Sequence, residues 1–162
     1  MHSFLILLSY YWLIIFSIIG YGLLLKKYFI KDDNIGIGYI GIFGIFLLIL
    51  ISYISNFFIA HTQTFNSVIL IVGLMNLYFN KNDEIFKKDI KILTIIFSVF
   101  ILFILSAKNH DDFPYYHFPY THLITEFSNV IGLGNFNHGF RTHSSIFYLS
   151  SLFNLPKSDL YL

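Results

Sequence analysis

Up to Ala107 the chain alternates long apolar runs with short polar stretches, and beyond it the alternation gives way to a polar, aromatic segment. Residues 3–25 and 35–60 carry no charged side chain and are each long enough to cross a hydrocarbon core, which takes about 20 helical residues. Residues 65–79 form a shorter apolar run interrupted by Asn66 and Asn76, and residues 92–107 form a fourth. Asn76 is expected to make an interhelical hydrogen bond. A cleavable leader at the start would need a basic beginning, an apolar core of about 7 to 15 residues and a small-residue cleavage site, none of which is present. The pattern predicts an all-α, polytopic transmembrane helix bundle of about four spans.

Charge in the connectors sets the expected orientation. The first connector contains Lys26, Lys27 and Lys31 beside Asp32 and Asp33; the second, His61 to Thr64, has no lysine; the third, 80–91, has Lys81, Lys87, Lys88 and Lys91 and reads as a solvated loop. Lysine-rich loops stay on the cytoplasmic side, so the N-terminus, His61 and everything after Ala107 are expected outside the cytoplasm. The protein is thus expected to be integral to a plasma membrane. Residues 1–107 form the membrane part, 108–145 an extracytoplasmic polar segment, and 146–162 an apolar helix that is re-entrant, interfacial or the start of a fifth span. More helices are expected to follow in the intact protein.

Composition supports this placement: 56% of the 162 residues are hydrophobic and 12% charged, against about a quarter charged in soluble domains. A net charge of +1 without basic stripes argues against a nucleic-acid partner. The absence of cysteine excludes disulfides, iron–sulfur clusters and thiol nucleophiles. Gly36, Gly38 and Gly41 match the GxGxxG expression, but no strand precedes them and the acidic residue needed about 20 positions on is missing. They are expected instead to let helices pack closely.

The chemistry-bearing residues concentrate in 110–145, with His110, His117, His122, His138 and His143 and the chain's one arginine, Arg141. Asp111 and Asp112 follow the membrane exit at Lys108; one can cap a helix starting near Pro114, and the pair can act as general base or hold a divalent cation, magnesium or manganese. Tyr116, Tyr120, Leu123, Ile124 and Phe127 recur at helical spacing, predicting an amphipathic helix along the membrane face that Pro119 kinks or restarts. His122 and Glu126 stand four apart on it, as do His117 and Thr121. The irregular histidine spacing, without HExxH, speaks against a dedicated zinc site. Gly132, Gly134 and Gly139 belong to turns, and Arg141 is a candidate anion ligand whose alternative role is to anchor on lipid headgroups. Ser144 and Ser145 lack a GxSxG elbow.

Asp112, Tyr116-His117, Gly132-Leu133-Gly134-Asn135, Gly139, Arg141 and Ser144-Ser145 together resemble a block in polytopic bacterial membrane proteins related to C-type (GT-C) glycosyltransferases. The resemblance implies transfer of a sugar from a polyprenyl-phosphate donor at the outer face of the membrane, in cell-envelope polysaccharide or glycoconjugate synthesis. It implies Asp111 or Asp112 as base or cation ligand. Arg141 would bind phosphate, and Tyr115, Tyr116, His117 and Asn135 would serve the substrate. The lipid bilayer and the polyprenyl-phosphate sugar are the expected partners. The alternatives are a non-enzymatic transport or assembly subunit and an inactive fragment. The absence of charged and histidine side chains from the four predicted spans counts against ion coupling.

Overall fold

In the computed structural model the described residues are 2–30, 35–108, 110–129, 131–136, 138–141 and 143–157. Lys31, Asp32 and Asp33, named above, lie outside them, as do residues 158–162. Every regular element among the described residues is helical. Four long helices run up and down: α1 His2–Phe29, α2 Ile37–Asn56, α3 Gln63–Asn80 and α4 Glu84–Ser106. After a π-helical turn at Phe113–His117 come two short helices, α5 Phe118–Glu126 and α6 Ser145–Ser151. This is a membrane protein: Phe4–Phe29, Ile37–Asn56 and Phe86–Ser106 are long and apolar enough to cross a bilayer. The third predicted span exists as α3 but does not reach that combination of length and apolarity.

Two predicted features shift. The charged stretch read as a loop is largely helical, because α4 begins at Glu84 and an Asp83 side-chain oxygen accepts the backbone N–H of Phe86 at 3.3 Å, an N-terminal cap. The close-packing glycines are not those of the GxGxxG match. Gly36 and Gly38 face open space and Gly41 makes only an ordinary contact with Ile19, whereas a Cβ on Gly44 would overlap the Ile18 carbonyl and one on Gly20 the Gly73 carbonyl. Small residues at those crossings let α2 and α3 lie directly against α1. Ile15, Ile19, Leu23, Ile40 and Leu93 fill the interior, while most apolar side chains of α4 remain exposed.

The two ends of the bundle differ in chemistry. At one end the almost fully buried Lys26 forms an ion pair with Asp83 at 2.5 Å, tying α1 to the connector before α4. At the other lie His61, α5 and α6. There α6 seats against the bundle: Leu149 and Leu152 pack with Tyr21 and Leu48, and Leu155 packs with Ile14 and Leu70.

Backbone polar groups buried with α6 need partners, because an unpaired one costs about 1–3 kcal/mol. Asn66, fully buried at the start of α3, donates from Nδ2 to the carbonyls of His61, Ser151 and Asn154 at 2.8–2.9 Å. It therefore closes the C-terminal end of α6. The interhelical bond expected of the Asn76 side chain is not seen among the described residues; its backbone carbonyl accepts from Asn80 Nδ2 within α3. The Ser52 hydroxyl donates to the Tyr148 carbonyl at 2.5 Å. Asn56 Nδ2 donates to the carbonyls of Ile124 and Phe127, holding the end of α5 on the end of α2.

Candidate functional site

His61 is the centre of the buried polar contacts beneath α6. It is fully buried, with Nδ1 2.6 Å from Ser151 Oγ and Nε2 2.9 Å from Ser55 Oγ. Ser151 Oγ gives its own proton to the Tyr148 carbonyl, so it accepts from Nδ1–H, and Ser55 donates to Nε2. Desolvation lowers the His61 pKa to about 4, leaving a neutral imidazole that ties α6 to the α2–α3 turn. Its role is to hold α6 in place. Sequence reasoning saw His61 only as part of a polar turn.

Above this layer opens a cavity of about 660 Å³. Its walls come from the end of α2 (Tyr53, Asn56), from the turns after α5 (Asn129, Gly132, Asn135, Arg141) and from His143 and Tyr148 at α6. Local backbone explains how the turns reach it. Asn129 adopts a positive φ of 51° while its N–H bonds the Asn56 carbonyl at 2.7 Å, and Gly132, at φ 83°, turns the chain into a 3-10 turn at Leu133–Asn135. Gly134 leaves room for the Arg141 stem: a Cβ there would come within 3.0 Å of Arg141 Cγ. Among the described residues Arg141 has no carboxylate partner.

The back wall is aromatic. Tyr53 and Tyr148 stack with ring centres 4.2 Å apart, and Tyr120 meets Phe140 edge-on at 5.4 Å and Phe147 at 5.2 Å. The Tyr120 hydroxyl lies 2.9 Å from His143 Nδ1 and also hydrogen-bonds the Tyr148 hydroxyl. Burial pushes Tyr120 and Tyr148 up, so both phenols keep their protons.

The sequence-predicted site residues fall into two groups. Asn135 and Arg141 line the cavity; Asp111, Asp112, Tyr115, Tyr116 and His117 do not. Asp111, Asp112 and Tyr115 are exposed. The expected capping role is not seen at Asp112, which precedes the π-helical turn with helical backbone and no capping bond from its side chain. It faces His110 instead, with Nδ1 3.5 Å from Oδ2. Among the described residues no three histidine, aspartate or glutamate side chains converge as a metal site would require, so Asp111 and Asp112 lack further ligands of that kind. Tyr116 and His117 are partly buried and reach Phe147 at 5.8 and 5.2 Å. Pro119 lies in the first turn of α5, where it starts a helix after the π-helical turn. The apolar face of α5 is covered: Tyr120 and Ile124 are buried, with Phe147 and Tyr148 of α6 in the same cluster. His122 stacks on Phe118 with ring centres 5.9 Å apart.

Sequence reasoning missed Tyr53, Asn129, His143 and Tyr148 as cavity residues. Only His143 carried a signal, standing two positions after Arg141 in the same turn. A family model described as Domain of unknown function (DUF8201) matches residues 4–160. No curated protein and no solved structure matches the chain.

Proposed function

We propose, for a chain that belongs to the DUF8201 family, that the cavity binds a polyprenyl-phosphate-linked sugar and supports transfer of that sugar at the outer face of the membrane. The carrying observation is the placement of Arg141, without a carboxylate partner among the described residues, in a cavity walled by tyrosines and asparagines at the end of the bundle opposite Lys26. A guanidinium grips phosphate with paired charge-assisted hydrogen bonds. Tyr53, Tyr148 and Phe140 offer ring surfaces to a sugar, and Asn129 and Asn135 offer amides to its hydroxyls.

The positive-inside rule supports the outer placement, because Lys26, Lys27 and Lys81 lie at the other end. A bacterial inner membrane and a role in envelope polysaccharide or glycoconjugate synthesis follow from the same reading. In it Asp111 and Asp112 stand outside the cavity and carry no proton transfer. The test uses the full chain in nanodiscs with a polyprenyl-phosphate-linked sugar. Saturable binding that weakens at least tenfold in Arg141→Ala is expected; equal binding by wild type and variant would overturn the reading.

A further inference from the structure

His143 differs from the other cavity side chains in having its proton arrangement set from behind. The Tyr120 hydroxyl, on a side chain only 1% exposed, is shared between His143 Nδ1 and the Tyr148 hydroxyl. Tyr120 has one proton to give. Given to the Tyr148 hydroxyl, that proton leaves the Tyr120 oxygen facing His143 Nδ1 at 2.9 Å. Its oxygen is then left to accept from His143 Nδ1–H. An imidazole held in this way carries its lone pair on Nε2, on the edge of the ring away from the buried phenol. His143 is itself exposed and lines the cavity with Arg141.

We infer that His143 is the proton acceptor of the cavity and that Tyr120 is the positioning residue that selects its tautomer. The inference rests on the reading of the cavity as the site of sugar transfer and names the group that activates the acceptor. The acceptor hydroxyl gives its proton to Nε2 as its oxygen bonds to the anomeric carbon. The bond from that carbon to the phosphate oxygen breaks, and its electron pair leaves with the polyprenyl phosphate held by Arg141. The imidazolium then returns its proton to water. A histidine ordered through Nδ1 is a common general base, and carboxylates outside the cavity are not placed for this step.

The test compares the full chain in nanodiscs as wild type, His143→Asn and Tyr120→Phe. Asparagine keeps a donor near the Nδ1 position while removing the base. It is expected to lower kcat of transfer by about 100-fold with unchanged affinity for polyprenyl phosphate. Nitrogen NMR of labelled histidine should show wild-type His143 protonated on Nδ1 and bare on Nε2, with a mixture of tautomers in Tyr120→Phe. A wild-type His143 protonated on Nε2, or a His143→Asn protein that transfers normally, would overturn the inference while leaving the binding reading intact. A wild-type protein that binds no polyprenyl phosphate would overturn both.

Discussion

Residues 110–117 and residues 129–148 draw on the same side-chain types, histidine, tyrosine and polar or charged groups, yet only the second lines the cavity. The first stretch carries the paired carboxylates and lies mostly in the open: Asp111, Asp112 and Tyr115 are exposed, and Asp112 has a histidine neighbour 3.5 Å away. The second has no carboxylate, but it meets α2 and α6 around a cavity and supplies Arg141 and His143 to its lining. Tyr120 and Phe147 belong to the aromatic cluster between them, with Phe147 touching Tyr116 and His117, and Tyr120 touching Phe140 and Tyr148. Density of titratable residues along the chain therefore does not locate the site. What distinguishes the second stretch is support from distant helices, which fixes side chains relative to one another before a ligand arrives.

That support is also where the contrast is easiest to break. Asn66→Ala strips three carbonyls of their buried donor and is expected to cost about 2–4 kcal/mol, loosening α6 and with it Tyr148 and the cavity. Thermal unfolding in nanodiscs checks the stability, and NMR of the Tyr148 ring checks the local loss. Acid should act in the same place. His61 is lowered to about 4 in the folded state against an ordinary 6.5, so the unfolded chain binds a proton first as pH falls. Stability contributed by neutral His61 is complete above about 6.5, declines between 6.5 and 4, and levels off below, for a total near ~3 kcal/mol. His61→Asn should flatten this window in unfolding measured from pH 7 to 4. The smallest effect is expected in the open stretch, where Asp111→Asn with Asp112→Asn should alter stability by about 0.5 kcal/mol or less and transfer less than about tenfold, in the unfolding and transfer assays. A complete loss of transfer in that double variant would move the chemistry back to the aspartates.

The long helices were legible because uncharged runs of sufficient length have few other solutions in a polar solvent. The start of α4 was not, since hydropathy is blind to a helical turn built from Glu84, Lys87 and Lys88 and capped by Asp83. Glycine content announced close packing, but which face meets a neighbour depends on the crossing, and that proved to involve Gly20, Gly44 and Gly73. Arg141 and Asn135 could be proposed from residue type and local pattern. Tyr53, Tyr148 and the anchors His61 and Asn66 could not, because they act through partners far along the chain, as in the His61–Ser151 bond. The histidine with the clearest structural role, His61, thus lies outside the histidine-rich segment.

The central claim is that the cavity-lining stretch, not the carboxylate-bearing one, meets the substrate phosphate. The direct measurement is the affinity of the full chain in nanodiscs for a polyprenyl phosphate, compared across wild type, Arg141→Ala and the double variant Asp111→Asn with Asp112→Asn. Loss of one guanidinium–phosphate contact removes about 1.5–3 kcal/mol, so binding is expected to weaken roughly 10- to 100-fold in Arg141→Ala and to stay unchanged in the double variant. Unchanged binding in Arg141→Ala, or loss in the aspartate variant, would contradict the account.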